Sequence, residues 1–186
     1  MDRGVAQPGS APASGAGGRW FKSSRPDQSF CVQIGVVGGG ECPTPVARLA
    51  EEVGERIAQA GAILMCGGLQ GVMRAAAEGA KRRGGLTVGI LPGTEHEDAN
   101  PFIDVRIVTG LGHARNALVA RSSHALIALA GEYGTLSEIA LALKIGVPVV
   151  GLSSWFDLEG VVKADSPEEA VSRALALALP AGSRVS

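Results

Sequence analysis

Three glycine clusters recur in this 186-residue chain at one fixed place in a repeating unit, and they constrain the fold more than any other feature. Each follows a short apolar run and precedes an apolar stripe at helical spacing. Gly38-Gly39-Gly40 follows Val32–Val37, Gly67-Gly68-Leu69-Gln70-Gly71 follows Ala62–Cys66, and Gly131-Glu132-Tyr133-Gly134 follows Ala125–Ala130. Apolar runs without alternation fit strands buried on both faces, as in parallel sheets. After the first cluster, Val46, Leu49, Ala50, Val53 and Ile57 form one helical stripe. Thr44 is placed to cap that helix with Pro45 at its first position, and Gly61 to end it.

The same unit repeats along the chain. Further strands are expected at Leu86–Leu91, Val105–Val108, Val147–Leu152 and Val161–Ala164, with helices at Val72–Arg83, up to about Arg121, and at Thr135–Lys144. Ser166-Pro167-Glu168-Glu169 reads as a capping box with proline at its first helical position, opening a last helix to about Leu179. Strands alternating with helices imply right-handed crossovers. The expected fold is a single α/β, Rossmann-like, doubly wound parallel sheet with helices on both faces, over residues 30–180, with a short tail at 181–186. Residues 1–29 differ. Rich in Gly, Pro, Ala and Ser and without periodicity, they are expected to form a disordered leader, with the biological start near Phe30.

Composition narrows the function. Hydrophobic residues make up 46% of the chain, which excludes wholesale disorder. Lys and Arg number 17 against 18 Asp and Glu, so the basic excess of a general nucleic-acid binder is missing. Cys31, Cys42 and Cys66 form no CxxC and no even framework, which fits a reducing cytoplasm and argues against a cysteine zinc site. No apolar run reaches the roughly 18 residues of a membrane span.

Ligands of an open parallel sheet bind at the loops leaving the carboxyl ends of its strands. The three clusters are such loops, each ahead of a helix whose first N–H groups and positive dipole end favour an oxyanion. Gly38, Gly39, Gly40, Gly67, Gly68, Gly71, Gly131, Tyr133, Gly134 and Thr135 are therefore the candidate phosphate-binding positions. Short turns alone would also use glycine, but three such loops on one edge favour a phosphorylated ligand. A GxxxxGK[ST] loop is absent, and no acidic residue closes the second strand, which disfavours P-loop nucleotides and NAD.

Three segments then resemble a known family. Gly67-Gly68-Leu69-Gln70-Gly71-Val72-Met73, Gly112-His113-Ala114-Arg115-Asn116 and Gly131-Glu132-Tyr133-Gly134-Thr135-Leu136-Ser137-Glu138 are similar, in that order, to motifs of the Lonely Guy (lysine decarboxylase-like) family. The wording of the whole chain is most similar to the branch holding molybdenum cofactor carrier proteins. The resemblance implies a Rossmann-like homodimer or homotetramer that binds a nucleoside monophosphate or a phosphorylated pterin. It implies molybdenum cofactor as cargo, with no other cofactor required. The alternative it implies is hydrolysis of the N-glycosidic bond of a nucleoside 5′-monophosphate, with Arg115 and Glu138 as catalytic residues. Two positions depart from the family pattern: Ala130-Gly131-Glu132 stands for Pro-Gly-Gly, and Asn116 for a lysine.

Several residues have local alternatives. Glu138 closes a Thr135-Leu136-Ser137-Glu138 capping box. Arg115, a cation at a helix start where the dipole disfavours it, would meet either a ligand anion or an acid such as Glu78. Asn116 reads as polar lining of the ligand site and a further candidate for ligand binding, and His113 as a cap or a ligand contact. Glu132 would point outward or pair with Arg115 or Lys144. The Glu95-His96-Glu97-Asp98 run reads as a solvated mobile lid rather than a metal site, and no metal is expected. Leu118, Ile139 and Leu143 read as core or subunit contact, and Trp155-Phe156 as rim or subunit contact.

Overall fold

The computed structural model of the chain describes residues 31–153 and 158–178. The expected leader, the tail and the Trp155-Phe156 pair lie outside the described residues. The strands are β1 (Gln33–Gly38), β2 (Ile63–Cys66), β3 (Thr87–Leu91), β4 (Val105–Val108), β5 (Ala125–Leu129), β6 (Val149–Leu152) and β7 (Val161–Ala164). The helices are α1 (Thr44–Gln59), α2 (Val72–Arg82), α3 (Asn116–Arg121), α4 (Tyr133–Lys144) and α5 (Pro167–Ala178), with 3-10 turns at His96–Asp98 and Gly112–Arg115. Every strand pair is parallel, in the order β4-β3-β2-β1-β5-β6-β7. This is the expected α/β Rossmann-like architecture.

The apolar strand runs are explained by the two layers they separate. Ile34, Val36, Leu64, Cys66, Ile127 and Leu129 meet α1, α2 and α5 in one core. Val37, Met65, Leu126 and Ala128 turn the other way, onto Val119 of α3 and Ile139 of α4. Ile139 is fully buried there, so it belongs to the core and not to a subunit contact. The second layer stops short of the sheet edge, leaving Val105 and Ile107 of β4 45% and 42% exposed. No helix among the described residues is long and apolar enough to cross a membrane.

Two helix starts differ from the sequence expectation. Pro43, not Thr44, occupies the cap position of α1, and its carbonyl accepts the Val46 and Ala47 N–H groups at 2.9 and 3.0 Å. Pro43 holds an extended conformation ready to enter the helix, and Thr44 is already inside it. Helix α4 begins at Tyr133 rather than Thr135, because Glu132 is extended and its carbonyl takes the Leu136 N–H at 3.0 Å.

Helices α1 and α2 pack backbone to backbone. A Cβ at Gly54 would overlap the Ala76 carbonyl, and one at Gly79 would overlap the Glu51 carbonyl. Around this contact Arg82 pairs with Glu51 and Glu78, both at 2.9 Å, and Arg83 with Glu55 at 2.8 Å. These solvent-facing pairs are screened by water and contribute little, so the glycine contact sets the spacing. Gly79→Ala tests this. Helix propensity alone would stabilise by about 1 kcal/mol, but the methyl meets backbone that cannot yield, at an overpacking cost of about 1–3 kcal/mol. Urea denaturation is expected to show a net loss of stability; a gain would mean the helices part without cost.

Candidate functional site

The chain leaves β1 toward β2 on one side and reaches β5 on the other, so the crevice between β1 and β5 is the topological switch point. A cavity of about 800 Å³ opens there. Gly38, Gly39 and Gly40 line one wall, followed by Glu41, Cys42 and Pro43. Gly131, Glu132, Gly134, Thr135 and Glu138 line the facing wall, and His113, Arg115 and Asn116 close the third side. A Cβ at Gly40 or Gly134 would meet nothing within 4 Å, so both glycines border open space and present bare backbone to it. The positive end of α4, a twelve-residue helix, enters the cavity at Gly134 and Thr135. Just before it, Ala130 holds a left-handed φ of 25°, a conformation glycine would adopt freely.

The second glycine cluster does a different job. Gly67, Gly68 and Gly71 do not line the cavity but stand behind it. Gly71 presses on the Gly39-Gly40 backbone, and the Val72 N–H at the start of α2 donates to the Gly39 carbonyl at 3.0 Å. That helix start therefore braces the first loop and has no N–H at this position left for a ligand. Gly67 leaves room for the Arg115 guanidinium, which a Cβ would overlap. Asn100, 1% exposed, donates to the Gly68 and Leu69 carbonyls at 3.1 and 2.7 Å. The loop after β3 is thus pinned at Asn100, while Glu95, His96, Glu97 and Asp98 are exposed on its outer turn.

Arg115 is the centre of the site. It is 6% exposed, and its Nη1 donates to Asn116 Oδ1 at 2.6 Å and to Glu138 Oε1 at 3.2 Å. Nη2 reaches the Gly67 carbonyl at 3.5 Å. Among the described residues, Nε of Arg115 is the one buried side-chain polar atom with no partner. The acid that Arg115 meets is Glu138; Glu78 instead pairs with Arg82. Glu138 in turn is no capping residue. Helix α4 starts five residues before it, and its carboxylate, 6% exposed, faces Arg115. Burial pushes the Glu138 carboxyl up to about 7, against the downward pull of Arg115.

The remaining residues frame this pair. Glu132 is exposed at the mouth and pairs with neither Arg115 nor Lys144 among the described residues. Tyr133, 83% exposed, stands outside the cavity, and His113 is exposed at its mouth without making a cap bond. Burial raises the Cys42 thiol, so it is a weak nucleophile despite lining the cavity. Cys66 lies under the site, pushed up to about 11. Sequence reasoning missed Glu41, Pro43, Met73 and the Asn100 clamp. Glu41 and Pro43 could have been found from their place beside the first glycine run, and Met73 from the motif it closes; Asn100 carries no local signal.

A doubly wound sheet with a glycine-walled cavity at its switch point, closed by a buried arginine–glutamate pair, defines a Rossmann-like protein of Lonely Guy type. The chain belongs to the SLOG cluster4 family, whose model matches residues 31–177. It is 51% identical over 141 residues to an uncharacterized protein of Archaeoglobus fulgidus, covering 76% of this chain and 93% of that one. It resembles the solved molybdenum cofactor binding protein of the phototrophic bacterium Rippkaea orientalis at 39% identity and a TM-score of 0.77, over 81% of this chain and 99% of that one. It is also 35% identical over 122 residues to a cytokinin riboside 5′-monophosphate phosphoribohydrolase of Mycobacterium tuberculosis, covering 61% of this chain and 65% of that protein.

The raised Glu138 carboxyl has a consequence for stability. Unfolded, it ionises near 4.5; folded, near 7. Between those values the folded state keeps a proton that the unfolded state has lost, so stability falls as pH rises through this window and levels off above it. At about 1.4 kcal/mol per unit the total is on the order of 3 kcal/mol. Urea denaturation from pH 5 to 8 is expected to show this decline in the wild type, with a distinctly shallower slope in Glu138→Gln. Parallel profiles would mean that Glu138 ionises normally.

Proposed function

We propose that this cavity binds a phosphorylated, nucleotide-like ligand, and that the protein is a carrier whose cargo is of molybdenum cofactor type. The observation that carries this reading is the unpaired Nε of Arg115. A buried donor left without an acceptor costs about 1–3 kcal/mol, and more on a charged group; Arg115 borders the cavity, so an anion bound there would offset its charge. The surroundings suit an oxyanion: bare backbone at Gly40 and Gly134, and the positive end of α4. Similarity to the Rippkaea orientalis protein supports the cargo, and Gly38, Gly39, Gly40, Gly131, Gly134, Thr135 and Arg115 would hold its phosphate. We take Gly67, Gly68 and Gly71 as support for this wall, Asn116 as a residue acting through Arg115, and Tyr133 as rim.

A second reading rests on Glu138. N-glycosidic cleavage of a nucleoside 5′-monophosphate passes through an oxocarbenium-like state, which an ionised carboxylate beside C1′ would stabilise. Glu138 borders the cavity, and the Mycobacterium tuberculosis relative carries that activity in its name.

Replacing Arg115 with Ala is expected to weaken binding of adenosine 5′-monophosphate by about 1.5–3 kcal/mol, the scale of a charge-assisted hydrogen bond. Calorimetry measures it, and undiminished affinity would remove the phosphate reading. Chromatography of the reaction mixture separates the two functions. A carrier releases no adenine, and Glu138→Gln binds as well or better; a hydrolase releases adenine and loses that activity in Glu138→Gln.

We also propose that the protein is a homodimer or homotetramer. The exposed apolar side chains Leu86, Val105, Ile107 and Leu111, toward the β4 edge, support a contact there. Light scattering at micromolar concentration is expected to give at least a dimer, and Ile107→Glu to shift it toward monomer. A monomeric wild type would overturn this.

A further inference from the structure

We propose that Ser137 is a positioning residue which, through Asn116, fixes the orientation of Arg115 beside the cavity; this rests on the reading of Arg115 as the grip on an anion. Ser137 lies on the exposed side of α4 and does not line the cavity. Its hydroxyl carries one proton, and that proton goes to the Gly134 carbonyl at 2.7 Å. Toward Asn116 the Ser137 oxygen can therefore only accept, and it takes the Asn116 Nδ2–H at 3.0 Å.

This settles the direction of the Asn116 amide. With its NH2 on Ser137, its Oδ1 must face Arg115, where it accepts from Nη1 at 2.6 Å. The flipped amide would set an N–H against a guanidinium N–H and an oxygen against the lone pairs of Ser137, whose proton is already spent on Gly134. Asn116 Oδ1 and Glu138 Oε1 occupy Nη1, and the Gly67 carbonyl approaches Nη2. The donors left over are Nε, which has no partner, and the second N–H of Nη2. The relay begins at the carbonyl of Gly134, in the same first turn of α4 that enters the cavity. Ser137 thereby keeps two anion-binding elements, the Arg115 fork and the α4 start, in one register.

A serine bonded only to its own helix would do none of this. Hydroxyls commonly bond a carbonyl one turn back, and such a bond influences nothing beyond the helix. The second bond, from a residue 21 positions away in sequence, is what gives Ser137 a reach.

The test uses the full chain, with Ser137→Ala to remove the hydroxyl and Ser137→Thr to restore it. Inorganic phosphate is the probe, titrated while the backbone resonances of residues 131–135 are followed. Ser137→Ala is expected to weaken phosphate binding roughly five- to tenfold, the loss of about one hydrogen bond, and Ser137→Thr to bring it back. The thermal midpoint should stay the same in all three proteins. In the absence of phosphate, Arg115 should give separate Nη resonances in the wild type and in Ser137→Thr, and these should merge in Ser137→Ala as the guanidinium begins to rotate. Unchanged Arg115 resonances in Ser137→Ala, or no recovery with threonine, would overturn the positioning role. Failure of the wild type to bind phosphate at all, with the resonances behaving as expected, would instead overturn the reading of the cavity and leave the relay standing.

Discussion

A guanidinium removed from water must be met on every side, and Arg115 organises the site around that requirement. Its partners come from the end of β2, the start of α3 and the second turn of α4. Glycine at position 67 leaves the guanidinium the space a side chain would take, so a larger residue there would have to displace Arg115. Taking away one member of a buried pair typically costs about 3–5 kcal/mol, since the other is left as an uncompensated charge. Arg115 and Glu138 are thus a single unit. One cannot be read as a ligand residue without asking what the other does when a ligand arrives.

The sheet puts that unit where it can be used. Because β1 lies between β2 and β5, the loops after β1 and β5 diverge and leave a crevice, and the arginine reaches it from the turn before α3. The three glycine clusters, alike in sequence, divide the work. The first and third expose backbone to the cavity, whereas the second closes against the first from behind. The Val72 N–H holds the start of α2 under Gly39, and further along the same helix Gly79 lets α2 meet α1 backbone to backbone.

Strand and helix order was legible in the sequence because burial on both faces writes itself into continuous apolar runs, here at Val36-Val37 and Leu126-Ile127-Ala128-Leu129. Local signals misled where a distant partner won. Thr135 and Glu138 have capping-box spacing, yet Glu138 is drawn to an arginine 23 residues earlier, and the helix starts before either. Thr44 lost its cap role to a proline already fixed in an extended conformation. Ile139 fits a helix stripe, but its contact with the sheet rather than with solvent depends on the direction of α4. The Ser137–Asn116 bond was invisible for the same reason: neither residue is unusual until the fold joins them.

The electrostatics of the pair bear on the choice between carrying and cleaving. An oxocarbenium-like state needs Glu138 ionised, and the charge of Arg115 is what pulls it in that direction against burial. A phosphate taken up by Arg115 would share that positive charge and add negative charge of its own within a few ångströms of the carboxyl. Both effects favour the protonated acid. A neutral Glu138 cannot stabilise a cationic sugar, but its O–H can donate to a ligand oxygen, so filling the cavity would strengthen binding while weakening the proposed cleavage. A lysine in place of Asn116, as the family pattern has it, would restore a second cation to offset the phosphate. In this chain that position is a neutral amide whose Oδ1 accepts from Arg115, so it sets an acceptor beside the guanidinium instead of a second cation.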